Sequence, residues 1–96
     1  MIDWVIGMMS RCSLQALFEC SVTSTSTDFR TELASIKLPT LVIQGDKDVN
    51  GMERTGRKTA AIIPGSRFVM YEGAPHGIFI THMDRLNQDI LQFART

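Results

Sequence analysis

The sequence has little cysteine, no excess of either charge and no long hydrophobic run. Its two cysteines, Cys12 and Cys20, are eight residues apart, a spacing typical of neither a zinc site nor a redox CxxC motif. On one helix they would lie about 12 Å apart along the axis, which is too far for a disulfide. We therefore expect two buried free thiols in a reducing compartment.

Charge and hydropathy give no indication of a nucleic-acid or membrane partner. Ten basic side chains balance ten acidic ones, so no surface of one sign is implied. The apolar stretch at residues 1–9 is too short to span a membrane, and it lacks the basic start and cleavage site of a signal peptide. These features predict a cytoplasmic protein that binds neither nucleic acid nor membrane.

Hydrophobic periodicity predicts helices at both ends of the chain. Apolar residues recur on most turns from Trp4 to Cys20, which indicates one or two helices, and the polar stretch from Ser21 to Thr27 is predicted to be a loop. Thr27 or Asp28 then caps a short helix in this prediction. A capping box of Thr81 and Asp84 begins a last helix, with an apolar face formed by Met83, Leu86, Ile90 and Phe93.

Between these helices lies a strand–helix–strand pattern. The stretch from Leu38 to Ile43 is apolar on both faces, as a buried parallel strand requires, and Arg67 to Glu72 predicts a second strand. Glu53 to Ile63 predicts the helix between them, and Pro64-Gly65 ends it. The fold class is therefore α/β, with two parallel strands joined by a right-handed βαβ crossover.

Titratable residues follow both predicted strands. Asp46 and Asp48 come after the first strand and His76 after the second, so parallel strands would bring them to one sheet edge. An aspartate beside a histidine holds the imidazole in one tautomer and stabilises the imidazolium that forms when the ring acts as a base. From the residues alone, a polar turn and a solvated histidine remain alternatives.

Several strings of the sequence together carry a family resemblance: Ile36 to Asp48, Thr55-Gly56-Arg57, Gly73-Ala74-Pro75-His76-Gly77, Thr27-Asp28-Phe29-Arg30, Thr81-His82 and Leu86-Asn87. They resemble the α/β-hydrolase superfamily, and more narrowly the cofactor-free (non-haem) haloperoxidases and their arylesterase relatives. The resemblance implies that residues 1–30 form the end of a helical cap region. It also implies that residues 31–96 form the C-terminal βαβα portion of the hydrolase core, with its acid loop and histidine loop.

The resemblance also implies roles for the titratable residues. Asp48 would be the acid of a catalytic triad and His76 its general base, while Asp46 belongs to the turn and is the less favoured alternative acid. His82 would be a structural residue at a helix start. No metal or organic cofactor is implied, and the spacing of these residues resembles no known metal site. Trp4, the methionines and Phe79 are candidates for an acyl pocket or for plain core.

Two features depart from the family pattern. The stretch from Val49 to Glu53 is one residue shorter than usual and lacks a Val-Pro step. No serine has glycine two residues before and two after it, as a nucleophile elbow requires. Apart from His76-Gly77 in the histidine loop, no His-Gly segment occurs that could form an oxyanion hole. In the family that this sequence resembles, the nucleophile elbow and the oxyanion hole belong to an N-terminal portion of the protein.

Three hypotheses follow. The leading one is that the chain is the C-terminal portion of a serine-type carboxylic ester hydrolase and is inactive by itself. The parent enzyme would act on a small ester or carboxylic acid, with a perhydrolase or haloperoxidase side activity. The partner of the chain would be an N-terminal hydrolase portion or a second copy. The main alternative is a non-catalytic module that associates with itself or a partner through an exposed sheet edge. In the third hypothesis the chain takes part in catalysis with a nucleophile that another subunit supplies.

Overall fold

The computed structural model describes residues 1–49 and 55–96, which form six helices and two strands. In chain order these elements are α1 (Ile2–Ser10), α2 (Leu14–Ser26), α3 (Arg30–Ala34), β1 (Leu41–Gly45), α4 (Gly56–Ile62), β2 (Arg67–Tyr71), α5 (Ile78–Thr81) and α6 (Met83–Ala94). None of these helices is long and apolar enough to cross a membrane, since the longest, α2, has 13 residues.

The two strands pair in parallel, as predicted, from Leu41 opposite Arg67 to Gly45 opposite Tyr71. The crossover between them contains α4, which packs on both strands. β1 begins three residues later than the apolar run. Pro39 has no N–H to donate to the ladder, and Leu38 is 75% exposed.

Burial is concentrated at the carboxyl ends of the strands. The buried apolar residues among those described are Ile63, Tyr71 and Ala74, and the buried polar ones are Gln44 and Asp48. A polar group buried at this depth must have a hydrogen-bonding partner, or its desolvation would destabilise the fold. No described buried side-chain N or O atom lacks a partner.

The prediction of a loop at residues 21–27 was wrong, because α2 continues to Ser26. The hydroxyls of this stretch donate to carbonyls of the preceding turn, as Ser21 does to Leu17 at 2.8 Å and Ser26 does to Val22 at 2.7 Å. Such bonds satisfy the hydroxyls within a helix, so a Ser/Thr run does not by itself end one.

The predicted helix starts are only partly confirmed. Phe29 is the N-cap of α3, and the Asp28 carboxylate accepts a hydrogen bond from the backbone N–H of Arg30 at 3.0 Å. The Arg30 side-chain hydrogen bonds hold the pKa of Asp28 down at about 2. The capping box at the last helix does not form. His82 is the N-cap of α6, and its ring Nδ1 lies 2.7 Å from the Thr81 hydroxyl.

Cys12 and Cys20 are free thiols, as predicted, but both are exposed rather than buried. The reason is that α1 and α2 have no buried residue, so their apolar positions face solvent instead of a core. The proposed division between residues 1–30 and 31–96 stays a prediction.

Candidate active site

Asp48 and His76 meet at the carboxyl edge of the sheet. Asp48 Oδ2 lies 2.7 Å from His76 Nδ1, which confirms the expected convergence of the two loops. The Asp48 side chain is 6% exposed and the His76 side chain is 73% exposed. The carboxylate is therefore shielded from water, while the imidazole is open on its other side.

Asp46 has a different position from Asp48. Its Oδ1 accepts a hydrogen bond from the backbone N–H of Gly73 at 2.7 Å, and its own N–H donates to the Tyr71 carbonyl at 3.1 Å. The N–H of Lys47 donates to the Ala74 carbonyl at 2.9 Å. These three bonds tie the acid loop to the histidine loop, so the structure places Asp46 in the turn, away from the His76 contact.

Gly45 permits the close approach of these two loops. A Cβ atom at this position would lie 2.1 Å from the Ala74 carbonyl oxygen and 2.8 Å from that of Pro75. Real Cβ atoms do not come so near to backbone. Only glycine at the end of β1 allows the chain before His76 to pass this close to the strand.

A polar group behind Asp48 was not predicted from the sequence. Gln44, 8% exposed, donates from Nε2 to Asp48 Oδ2 at 3.4 Å and to Thr55 Oγ1 at 2.9 Å. The signal that would have indicated it is a lone amide side chain at the end of an otherwise apolar strand. Residues 50–54, which include most of the shortened stretch after Asp48, lie outside the described residues.

Tyr71 forms a second unpredicted contact, on the side of α6. Its ring is fully buried, and its hydroxyl donates to Asp89 Oδ2 at 2.5 Å. The Arg85 guanidinium carbon lies 4.0 Å from the ring centroid. Burial, followed by the hydrogen bond to Asp89 and its charge, raises the pKa of Tyr71 to about 12, while Arg85 opposes the rise.

His82 does not join the Asp48–His76 pair. Its ring contacts Thr81 and lies 6.0 Å, between centroids, from the ring of Tyr71. No described group of three or more His, Cys, Asp or Glu side chains is arranged to hold a metal ion. Trp4 and Phe79 line a cavity of about 400 Å³ together with Met1 and Ile80.

Every serine hydroxyl is hydrogen-bonded to nearby backbone. Five of the seven hydroxyls donate to a backbone carbonyl three or four residues earlier in the chain, and Ser66 donates to the carbonyl of Ala60. The Ser13 hydroxyl instead accepts a hydrogen bond from the backbone N–H of Ala16 at the start of α2. None of these contacts involves His76. The site therefore pairs a carboxylate with an imidazole, and the described residues place no serine beside it.

Because the carboxylate faces Nδ1, it favours the tautomer with the proton on that nitrogen and leaves Nε2 able to accept a proton. Such a pair suits general acid–base chemistry on a hydroxyl group. Both the parallel βαβ fold and the order of acid before histidine are those of the α/β-hydrolase class.

Comparison with known proteins agrees with this class. The family model described as TAP-like protein, of the α/β-hydrolases, matches residues 6–96. The chain belongs to this family and corresponds to the C-terminal portion of its fold.

Similar proteins include haloperoxidases and esterases. The chain is 44% identical over 70 residues to a non-heme chloroperoxidase of Kitasatospora aureofaciens, a match that covers 70% of the chain and 26% of that protein. It is 33% identical over 94 residues to a bifunctional esterase/perhydrolase of Acinetobacter calcoaceticus, covering 97% and 33% respectively. A bromoperoxidase structure from Bacillus anthracis superposes with a TM-score of 0.70 at 38% identity, over 73% of the chain and 26% of that protein. The chain thus spans about a quarter to a third of these relatives.

Proposed function

We propose that this chain supplies the triad acid, Asp48, and the general base, His76, of a serine-type carboxylic ester hydrolase. The observation that supports it is the 2.7 Å contact between Asp48 Oδ2 and His76 Nδ1, with the acid buried and the base exposed. The similarity to an esterase/perhydrolase supports a small ester as substrate.

In this proposal His76 Nε2 removes the proton of a serine hydroxyl as that oxygen attacks the ester carbonyl. Asp48 stabilises the imidazolium that forms, and the imidazolium then protonates the leaving alcohol. Water, activated by the same base, hydrolyses the acyl-enzyme. Peroxide in place of water would give a peracid able to oxidise halide, which fits the haloperoxidases among the similar proteins.

The serine and the oxyanion donors would come from a part of a hydrolase outside these 96 residues, either an N-terminal portion or another subunit. This follows from the lack of a glycine-flanked serine and from the local backbone bonding of all seven serine hydroxyls. No metal or organic cofactor takes part in the proposed chemistry.

A chimera tests the proposal directly. The matched segment of the Acinetobacter esterase/perhydrolase is replaced by this chain, and hydrolysis of a p-nitrophenyl ester is measured. We expect activity that His76→Ala lowers by at least about 10⁴-fold in kcat and Asp48→Asn by about 10³- to 10⁴-fold. His82→Ala is the matched control and should leave kcat within a few-fold. An active chimera indifferent to His76→Ala would contradict the proposal.

The chain by itself should hydrolyse the same ester little faster than free imidazole and should not react with a fluorophosphonate probe. The reason is that general-base catalysis alone contributes about 10²- to 10⁴-fold, and only when a substrate is held nearby. Saturable turnover that His76→Ala abolishes, with one serine labelled stoichiometrically, would show that the chain has its own nucleophile.

A non-catalytic, self-associating module is the second candidate. The specific observation that favours it is the absence of any buried residue in α1 and α2, where Leu14 is 82% exposed and Phe18 is 68% exposed. Faces of this kind are typical of surfaces that bind another protein surface. An inactive chimera together with a stable homodimer would favour this candidate over the hydrolase.

A further inference from the structure

Gln44 is a buried amide on β1 for which the proposed reaction has no use. It is 8% exposed and is followed immediately by Gly45 and the acid loop. Leu41, Val42 and Ile43 precede it on the same strand, so an amide here needs a reason other than apolar packing. Its contacts give that reason.

The amide nitrogen of Gln44 bonds the same carboxylate oxygen that faces the histidine. Nε2 donates to Asp48 Oδ2 at 3.4 Å, and this oxygen lies 2.7 Å from His76 Nδ1. At that length the hydrogen bond is weak, so its main effect is on the orientation of the Asp48 carboxylate. A carboxylate rotates about its terminal torsion in a broad energy well, and a second donor narrows that rotation.

Thr55 and Gly56 hold the amide in place. The Thr55 hydroxyl donates to Gln44 Oε1 at 3.0 Å and accepts from Nε2 at 2.9 Å. A Cβ atom on Gly56 would lie 2.0 Å from Oε1 and 3.0 Å from both Cβ and Cδ of Gln44. The first turn of α4 therefore packs directly against the amide and limits its movement away from Asp48.

We infer that Gln44 is a positioning residue: held by Thr55 and by the backbone at Gly56, it orients the Asp48 carboxylate so that Oδ2 faces His76 Nδ1. The inference rests on the proposed roles of Asp48 and His76. Its consequence is that Gln44 helps to keep the imidazole proton on Nδ1, which leaves Nε2 as the base.

The ¹⁵N spectrum of His76 tests this in the intact chain, because the two ring nitrogens of a neutral imidazole have different shifts in the two tautomers. We expect the proton mainly on Nδ1 in the wild type. Gln44→Leu, of similar size but without a donor, should lower the ratio of the Nδ1–H to the Nε2–H form at least twofold. Thr55→Val should lower it less, since the amide then loses one of its restraints.

Controls separate positioning from folding. Gln15→Leu, on the exposed face of α2, should leave the ratio unchanged, and the amide shifts of β1 and β2 should show that each variant is folded. A folded Gln44→Leu variant with the wild-type ratio overturns the inference. If that variant does not fold, Thr55→Val decides, because an unchanged ratio there overturns the inference equally.

Asp48→Asn distinguishes this inference from the proposed function. If the wild type shows no preference for Nδ1–H, or Asp48→Asn does not remove it, the acid–histidine pair itself fails and the positioning role fails with it. If Asp48→Asn removes the preference and Gln44→Leu leaves it intact, only the positioning role fails.

Discussion

Asp48 and His76 occupy environments that suit an acid and a base of one site. The carboxylate of Asp48 is almost fully shielded, which strengthens its attraction for a protonated ring, since charges interact more strongly in a low dielectric. The imidazole of His76 is mostly exposed on the side away from Asp48. An oxygen nucleophile on another surface would therefore have access to Nε2.

Tyr71 allows a direct test of the α6 contact, because it is the only tyrosine in the chain. Burial, with the bond to Asp89, raises the pKa of Tyr71 to about 12, whereas an unfolded chain should show the ordinary value of about 10. Tyrosinate absorbance, measured against pH in the folded and the denatured chain, should show these two midpoints. Asp89→Asn should lower the folded midpoint only in part, because burial is the largest cause.

The same shift makes stability depend on pH. Between about pH 10 and 12 the folded chain retains a proton that the unfolded chain has lost, so the free energy of unfolding should fall as pH rises through this range. The decrease should be at most about 3 kcal/mol, since a pKa unit corresponds to about 1.4 kcal/mol and the pKa rises from 10.0 to about 12. The Tyr71→Phe variant should not show this decrease in the free energy of unfolding. A folded midpoint near 10 would contradict this account.

At the scale of elements, the end of β1 determines where the histidine loop lies. Gly45→Ala would place a methyl group against the carbonyl oxygens of Ala74 and Pro75, and backbone cannot give way as a flexible side chain can. We expect the free energy of unfolding to fall by about 1–3 kcal/mol, as in other overpacked sites. Urea unfolding followed by circular dichroism measures this change. The Nδ1–H signal of His76 should weaken as the loops separate.

Gly77→Ala is the matched control, because this glycine adjoins the same histidine, has φ of −79° and leaves open space around a Cβ atom. Its effect should stay within about 0.5 kcal/mol. Equal destabilisation by the two substitutions would show that the close approach at Gly45 is not what holds the loop.

The whole molecule exposes more surface than its size requires. Its accessible surface is 7609 Å², against roughly 5,500 Å² expected for a folded monomer of 10.7 kDa. Its radius of gyration is 15.5 Å, against about 12.5 Å for a compact domain of this length. The excess surface is comparable to what a specific protein–protein interface buries, about 1,200–2,000 Å².

We therefore expect the chain to associate with itself as its concentration rises. Leu14 and Phe18 lie one turn apart on α2, and exchanging both for glutamate should weaken association at least tenfold, since buried charges oppose it. Sedimentation velocity over a concentration series measures this.

A control adds the same charge elsewhere. Asn87→Asp with Gln88→Glu, on the exposed side of α6, should leave the association nearly unchanged. A compact monomer at every concentration, with a cooperative melt independent of concentration, would contradict the expectation of self-association.

The local parts of the fold could be predicted because they depend on local periodicity. The apolar runs before Gly45 and after Arg67 specify two strands, and the helix between them implies a parallel pair. The stretch at residues 21–27 was predicted wrongly, because a serine or threonine favours a loop only when its hydroxyl does not bond within the helix.

By itself, the sequence determined an α/β chain with acids after one parallel strand and a histidine after the next, and without a glycine-flanked serine. The family resemblance favoured Asp48 over Asp46 as the partner of His76, but only the tertiary structure shows the contact, since the turn directs Asp46 to Gly73 and Asp48 to the ring. It also decided that Gln44 lies behind Asp48. These contacts join residues up to 28 positions apart, and their distances depend on how the loops pack, which no local preference specifies.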